Sequence, residues 1–347
     1  MHVTPLVWWL TIGITTAILI FDVFVVGRRP HEPTRREVTV ALAFFIGLAV
    51  AFGIGVWVVA GHQYGTEFFA GWLTEYSLSV DNLFIFLVIM GKFGVPRQYQ
   101  QTALLIGIVM ALVMRGIFIA VGAAAIDNFS WVFYIFGLFL VYTAVKLAKE
   151  GAEDEDEYEE NQLIKFVETH LPATSEWKST KLFTKENGKR LITPMFIVVL
   201  ALGTTDLLFA LDSIPAIFGL TQEPYLVLTA NIFALMGLRQ LYFLIGGLLE
   251  RLVYLSYGLA FLLAFIGVKL VLHAMHTNEL PFINGGAGVH WAPEIPIWLS
   301  LAVIVGILVV TTVLSLIASS RMSEEERDRR TGPRHPDVHS HQHVDES

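Results

Sequence analysis

Of the 347 residues, 54% are hydrophobic and only 16% are charged, against about a quarter charged in a soluble domain. This composition excludes an ordinary water-soluble fold, and the net charge of −8 says little because acidic runs in the loops dominate it. Cys is absent, which excludes disulfides, thiolate metal sites and Cys nucleophiles and argues against soft-metal or thiol-redox chemistry.

The apolar residues fall in runs of about 20, enough to cross a hydrocarbon core of about 30 Å. The first run, 6–27, has no basic segment before it and is followed by Arg28 and Arg29 instead of a small-residue cleavage site. It is expected to be an uncleaved first span. Eight further spans are predicted at 38–60, 67–90, 100–124, 129–148, 192–219, 226–249, 254–276 and 295–319. All are predicted to be helices, because a chain in lipid must satisfy its backbone internally. The expected fold is therefore all-α, a polytopic membrane protein with about nine transmembrane helices. A transporter domain is expected over 1–320 and a disordered cytoplasmic tail over 321–347. The long fifth loop, 150–191, opens with EGAEDEDEYEEN (150–161), a like-charge run expected to be solvated and irregular.

Lys and Arg are concentrated in alternate loops. Arg28, Arg29, Arg35 and Arg36 lie in the first, Lys92 and Arg97 in the third, six basic residues between Lys165 and Arg190 in the fifth, and Arg251 in the seventh. The loops near 61–66, 125–128, 220–225 and 277–294 contain none. The positive-inside rule places the N-terminus outside and the C-terminus in the cytoplasm of a cell membrane.

Within the spans, EYSLSVDN (75–82) returns as DLLFALDS (206–213). ALVMRGIFIAVG (111–122) returns as LMGLRQLYFLIG (235–246), and the Val-Lys-Leu of 145–147 as that of 268–270. The repeated unit is three spans, about 67–149 and 192–276. An odd number of spans inserts the copies in opposite directions, the inverted repeat of secondary transporters with a site near midplane.

Carboxylates at that depth each cost about 2.5–3.5 kcal/mol on insertion scales, so Glu75, Asp81, Asp206 and Asp212 mark a function. Asn82 and Ser213 follow the second acid of each pair. On a helix Glu75, Ser79 and Asn82 share a face, as do Asp206 and Ser213. Pro215 lacks an N–H and frees the carbonyl of Leu211. The four acids sum to −4 and Arg115 and Arg239 to +2, leaving −2 for one divalent cation. Oxygen ligands suit Mg, Ca and Mn. Asp22 is a weaker candidate ligand. Carboxylates that lose a cation can take up protons, so proton exchange is an expected coupling.

The motifs EYSLSVDNLFIF (75–86), TDLLFALDSIPAIFG (205–219) and NIFALMGLRQLYFLIGG (231–247) resemble the TerC family of bacterial integral membrane proteins, over about residues 5–320. The resemblance implies export of Mn(II) as transported ion, with Glu75, Asp81, Asn82, Asp206, Asp212 and Ser213 on the family's acidic motifs and Asn231 and Arg239 on a later one. One departure is Gly203, where many members of the family carry a Glu; if that Glu is a ligand there, this chain has lost one ligand or uses Asp22 or Glu67 instead. The expected activity is secondary transport, with no catalytic cofactor and no enzyme chemistry. The partners expected are a divalent metal ion, protons and the lipid bilayer, with no nucleic acid. The rival expectation is a tellurite- or stress-resistance scaffold that acts through protein partners. Acids outnumber bases at midplane, which disfavours direct oxyanion transport.

Because the chain lacks Cys, orientation can be read with single Cys probes. Cys at Glu67 or Glu223 is expected to react with an impermeant thiol reagent on intact cells. Cys at Arg35, Gly188 or Ser323 should react only after permeabilisation; labelling of Gly188→Cys from outside would reverse the assignment.

Overall fold

The computed structural model describes residues 3–28, 33–129, 131–150, 177, 181–186, 189–245, 254–281, 283–289 and 291–321. Within them are nine long helices: α1 (Pro5–Arg28), α2 (Arg35–Ala60), α3 (His62–Lys92), α4 (Arg97–Asn128), α5 (Val132–Glu150), α6 (Pro194–Phe218), α7 (Pro224–Ile245), α8 (Leu255–His276) and α9 (Ile297–Arg321). Eight are long and apolar enough to cross a membrane, and α1 adds a shorter apolar stretch, Pro5–Phe21. Each predicted span has its helix, with ends displaced by a few residues. The molecule is an all-α polytopic membrane protein.

Local chemistry sets several helix starts. Thr34 and Glu37 form a reciprocal capping box at α2, with Thr34 N donating to Glu37 Oε2 (2.8 Å) and Glu37 N to Thr34 Oγ1 (3.3 Å), which satisfies two otherwise unpaired amides. Thr193 caps α6, with Pro194 in the first turn, where a missing N–H does no harm. The Thr193 hydroxyl also donates to the Lys181 carbonyl (2.7 Å). That bond ties α6 to a short antiparallel hairpin, β1 (Phe183–Glu186) and β2 (Lys189–Ile192), with Glu186 opposite Lys189. Asn187 and Gly188 lie between the strands in sequence, the strongest short hairpin signal. The acidic run from 151 to 161 and the tail from 322 lie outside the described residues.

Helix α7 is the middle of the bundle, with 89% of its apolar window buried against 11% for α9. It packs on α2, α3 and α4. The outer faces carry large exposed apolar side chains, among them Leu6, Trp9, Phe21, Val58, Val59 and Phe261, as expected of surfaces that meet lipid. In lipid, apolar burial does not drive helices together, so close packing and polar contacts must.

The helices matched by the sequence repeat cross one another antiparallel. Along α3 and α6, Gly71 meets Ile217, and just past the end of α6 Thr221 meets Glu67, so early residues of one face late residues of the other. Along α4 and α7, Gln100 meets Tyr242 and Arg115 meets Asn231. Along α5 and α8, Phe133 meets His273 and Val141 meets Gly267. The cross-packing also exchanges under the repeat: α3 lies on α7, and their counterparts α6 and α4 lie on each other.

The α5–α8 crossing rests on two glycines. A Cβ on Gly137 would lie 2.8 Å from the Gly267 carbonyl, and one on Gly267 would lie 2.9 Å from the Gly137 carbonyl and 3.0 Å from Val141 N. Backbone cannot step aside as a flexible side chain can. Gly267→Ala is expected to destabilise the protein by about 1–3 kcal/mol, the range for overpacking, seen as a lower Tm in detergent. Gly116→Ala, whose Cβ meets nothing within 4 Å, should leave Tm unchanged or raise it.

Candidate functional site

Where α3 crosses α6, the carboxylates of Glu75 and Asp206 come together at 0% and 1% exposure. Arg115 of α4, itself fully buried, reaches between them. Its Nε donates to Asp206 Oδ2 (2.9 Å) and its Nη2 to Asp206 Oδ1 (3.0 Å), a two-pronged pair that fixes the planes of both groups. Its Nη1 donates to Glu75 Oε1, to Ser213 Oγ (3.2 Å) and to Asn231 Oδ1 (3.0 Å). Ser79 Oγ donates to the same Glu75 oxygen (3.4 Å). The Asn231 amide nitrogen donates one turn back to the Val227 carbonyl (3.0 Å), which orients its oxygen toward Arg115. The site thus draws on α3, α4, α6 and α7.

Two carboxylates and one guanidinium leave a formal charge of −1 on this cluster. Glu75 Oε2 is buried and has no hydrogen-bond partner among the described residues. An anionic acceptor in that condition is an open position for a cation or a proton, since buried polar atoms are nearly always paired.

The structure brings together Glu75, Ser79, Asp206, Ser213, Asn231 and Arg115. It does not bring Asp212 to them. The Asp212 side chain turns toward α5, is partly exposed, and accepts from Thr143 Oγ1 (3.0 Å), with the charge of Lys146 nearby. Six residues along a helix amount to about 240° of rotation, so Asp206 and Asp212 look to different sides of α6. The expected convergence of Asp212 with the other acids is corrected accordingly. Among the described residues no three His, Asp or Glu side chains form a metal cage.

Asn82 is buried on α3. The side chains of Asp81 and Asp22 lie outside the described residues. Arg239 is buried on α7, and with Gln240 oriented to satisfy both of its ends, the Gln240 amide oxygen accepts from Arg239 Nη2 (2.9 Å). Helix α6 runs on through Pro215, and the side chain of Leu211 is exposed. At Gly203 the terminal methyl of Met110 fills the space that a Cβ would take.

A second polar group lies at the start of α3. Glu67 is buried, accepting from Gln63 Nε2 (2.9 Å) through one oxygen and from Thr221 Oγ1 (2.7 Å) through the other. It lines a cavity of about 610 Å³ together with Thr221, Gln222, Lys269, His273 and Trp298. Sequence reasoning missed Thr143 and Thr221 as partners of the acids. A faint signal existed for Thr221, which continues the four-residue spacing of Ser213 and Ile217.

Among the described residues, eight helices long and apolar enough to cross a membrane, with a buried carboxylate–guanidinium cluster among them, define a multi-pass integral membrane protein. The chain belongs to the TerC family: the model described as "Integral membrane protein TerC family" matches residues 60–323, as the motifs led one to expect. It is 47% identical over 344 residues to "Uncharacterized membrane protein Rv2723" of Mycobacterium tuberculosis, covering 98% of this chain and 86% of that one. It is 38% identical over 325 residues to "Uncharacterized membrane protein STKORF319" of Myxococcus xanthus, covering 94% and 96%. It is 35% identical over 332 residues to "Putative membrane-bound redox modulator Alx" of Escherichia coli K12, covering 93% and 98%. No solved structure gives a significant match.

Removing Arg115 would leave two buried carboxylates facing each other. Arg115→Met is expected to destabilise the protein by about 3–5 kcal/mol, the usual result of breaking a buried charge pair. Ser213→Ala, which removes one neutral acceptor, should destabilise by about 1 kcal/mol. Thermal unfolding in detergent distinguishes the two; equal Tm values would show that Arg115 does not hold the cluster.

Proposed function

We propose that the protein is a secondary transporter that moves a hard divalent cation, Mn(II) foremost, outward across the plasma membrane, with its N-terminus outside and C-terminus in the cytoplasm. The observation that carries this reading is the meeting of Glu75 and Asp206 at one buried guanidinium. They occupy matching positions of the two sequence repeats and reach the cluster from helices that cross antiparallel. Inverted-repeat carriers hold their cargo at that kind of junction, near midplane.

The donor set is all oxygen: two carboxylates, the Ser79 and Ser213 hydroxyls and the Asn231 amide. Such ligands suit Mg, Ca and Mn rather than Cu(I). Arg115 acts as the tethered counter-ion of the acids. A metal ion entering through Glu75 Oε2 would compete with Nη1 for Glu75, while the bond pair to Asp206 keeps Arg115 in place. Asp212, partly exposed beside Thr143, would form an approach to the site rather than part of it. Departure of the metal leaves carboxylates that can take protons, which makes proton return the expected coupling. The relatives described as redox modulators do not direct this chain toward thiol chemistry, because it has no Cys.

Purified protein in liposomes loaded with a Mn(II)-sensitive dye provides the test. Glu75→Gln and Asp206→Asn should each reduce Mn(II) affinity by more than about a hundredfold, equivalent to roughly 3 kcal/mol. Asp212→Asn should have a smaller effect, on the order of tenfold, since a partly exposed charge is screened. Wild-type rates of Mn(II) flux in Glu75→Gln would make the cluster purely structural.

A further inference from the structure

The α3–α6 crossing carries three successive contacts at four-residue spacing. At the innermost, Glu75 and Ser213 share the Arg115 Nη1. One turn toward the start of α3, Gly71 lies against Ile217, so closely that a Cβ on the glycine would be 3.2 Å from Ile217 Cγ2 and 3.6 Å from Ala230 Cβ. One turn further, Glu67 Oε2 accepts from Thr221 Oγ1 at 2.7 Å. The order is polar, apolar, polar. At 1.5 Å per residue, Glu67 lies about 12 Å along α3 from Glu75. Both Glu67 and Thr221 open into the cavity of about 610 Å³, whereas Ile217 is fully buried.

Glu67 is an unusual residue to bury at that place. Its hydrogen bonds come from a neutral amide and a neutral hydroxyl. Lys269 of α8, which lines the same cavity, lies close enough for its charge to act on Glu67. His62 and His273 also face the cavity, as does Glu223, which sits just before α7. The lining therefore holds two carboxylates and one ammonium, a weakly cation-attracting chamber with its positive charge on a flexible stem.

We propose that Glu67 is a second cation station, at the extracytoplasmic end of the same path, with Gly71 and Ile217 as the apolar gate between it and the midplane cluster. It rests on the transport reading above. A cation passing the gate meets Glu67, the Thr221 hydroxyl and cavity water. Lys269 competes with the ion for Glu67, keeps its hold on the ion weak, and so favours release outward. The small residue at 71 sets the width of the gate, because the Ile217 side chain fills the space a larger residue would need.

Two measurements test the proposal on the full-length protein in liposomes, with Mn(II) as the probe. The first is inhibition of flux by Mn(II) added at the extracytoplasmic face. Lys269→Met should make that inhibition set in at a concentration about tenfold lower, and Glu67→Gln at one about tenfold higher, the scale of one nearby charge in a partly wet cavity. Gly71→Ala should slow flux while leaving the half-inhibiting concentration unchanged. Unaltered inhibition in both charge variants would overturn the proposal. The second does not depend on flux: Thr221→Cys, the one thiol in the chain, should be protected from an impermeant thiol reagent by external Mn(II) in an otherwise wild-type protein, and no longer protected when Glu67→Gln is added. Protection with no flux in the wild type would refute the transport reading and leave the outer station standing. Flux without protection would do the reverse.

Discussion

The buried guanidinium of Arg115 is the constraint from which the centre of the molecule takes its shape. Two ionised carboxylates share a dry space only at high cost unless a cation stands between them or one takes a proton, and Arg115 bonds to both. Its planar fork donates two hydrogen bonds to Asp206 and leaves one nitrogen to donate to Glu75, Ser213 and Asn231. Meeting those demands fixes how α3, α4, α6 and α7 can approach. In a bilayer, where apolar faces gain little by meeting each other, such a junction defines the register of the bundle more firmly than the leucine contacts around it.

Around that junction the packing alternates between charge and close backbone approach. Gly71 lets α3 lie against Ile217, and Gly137 and Gly267 let the α5 and α8 backbones approach where a Cβ would meet a carbonyl. These contacts, like the antiparallel crossing of α4 and α7, join elements that the sequence repeat pairs with one another. An arrangement in which matching helices cross antiparallel places matching residues on both sides of one point. This explains why one member of each acidic pair, Glu75 and Asp206, ends in the same cluster. The other member of the second pair, Asp212, goes to a different neighbour because its position on α6 turns it toward Thr143.

The proposed transport activity and the structural role of the cluster are two uses of the same electrostatics. A site that holds its own tethered cation has its charge partly balanced without cargo, yet leaves a carboxylate oxygen on Glu75 with no partner among the described residues. The outer cavity repeats the theme more loosely, with Lys269 near Glu67 and solvent within reach.

Much of this was legible in the order of residues alone. Nine apolar runs can only be helices in lipid, since no other open structure satisfies the backbone there. The paired motifs at 75–82 and 206–213, with Arg115 following, marked the acids Glu75 and Asp206 that meet in the buried cluster. The four-residue spacing of Glu75 and Ser79 put them on one face, where they meet. What the order of residues left open was which acid faces which helix. Helical periodicity gives angles about one axis but not the rotation of that axis against its neighbours, so Asp212 was grouped with Asp206 until α5 supplied Thr143. The pairing of Arg115 with Asp206, 91 positions away, and of Glu67 with Thr221, 154 away, likewise depends on how distant helices cross. That was decided by tertiary packing, because only in the assembled bundle does a buried charge find, or fail to find, its counter-charge.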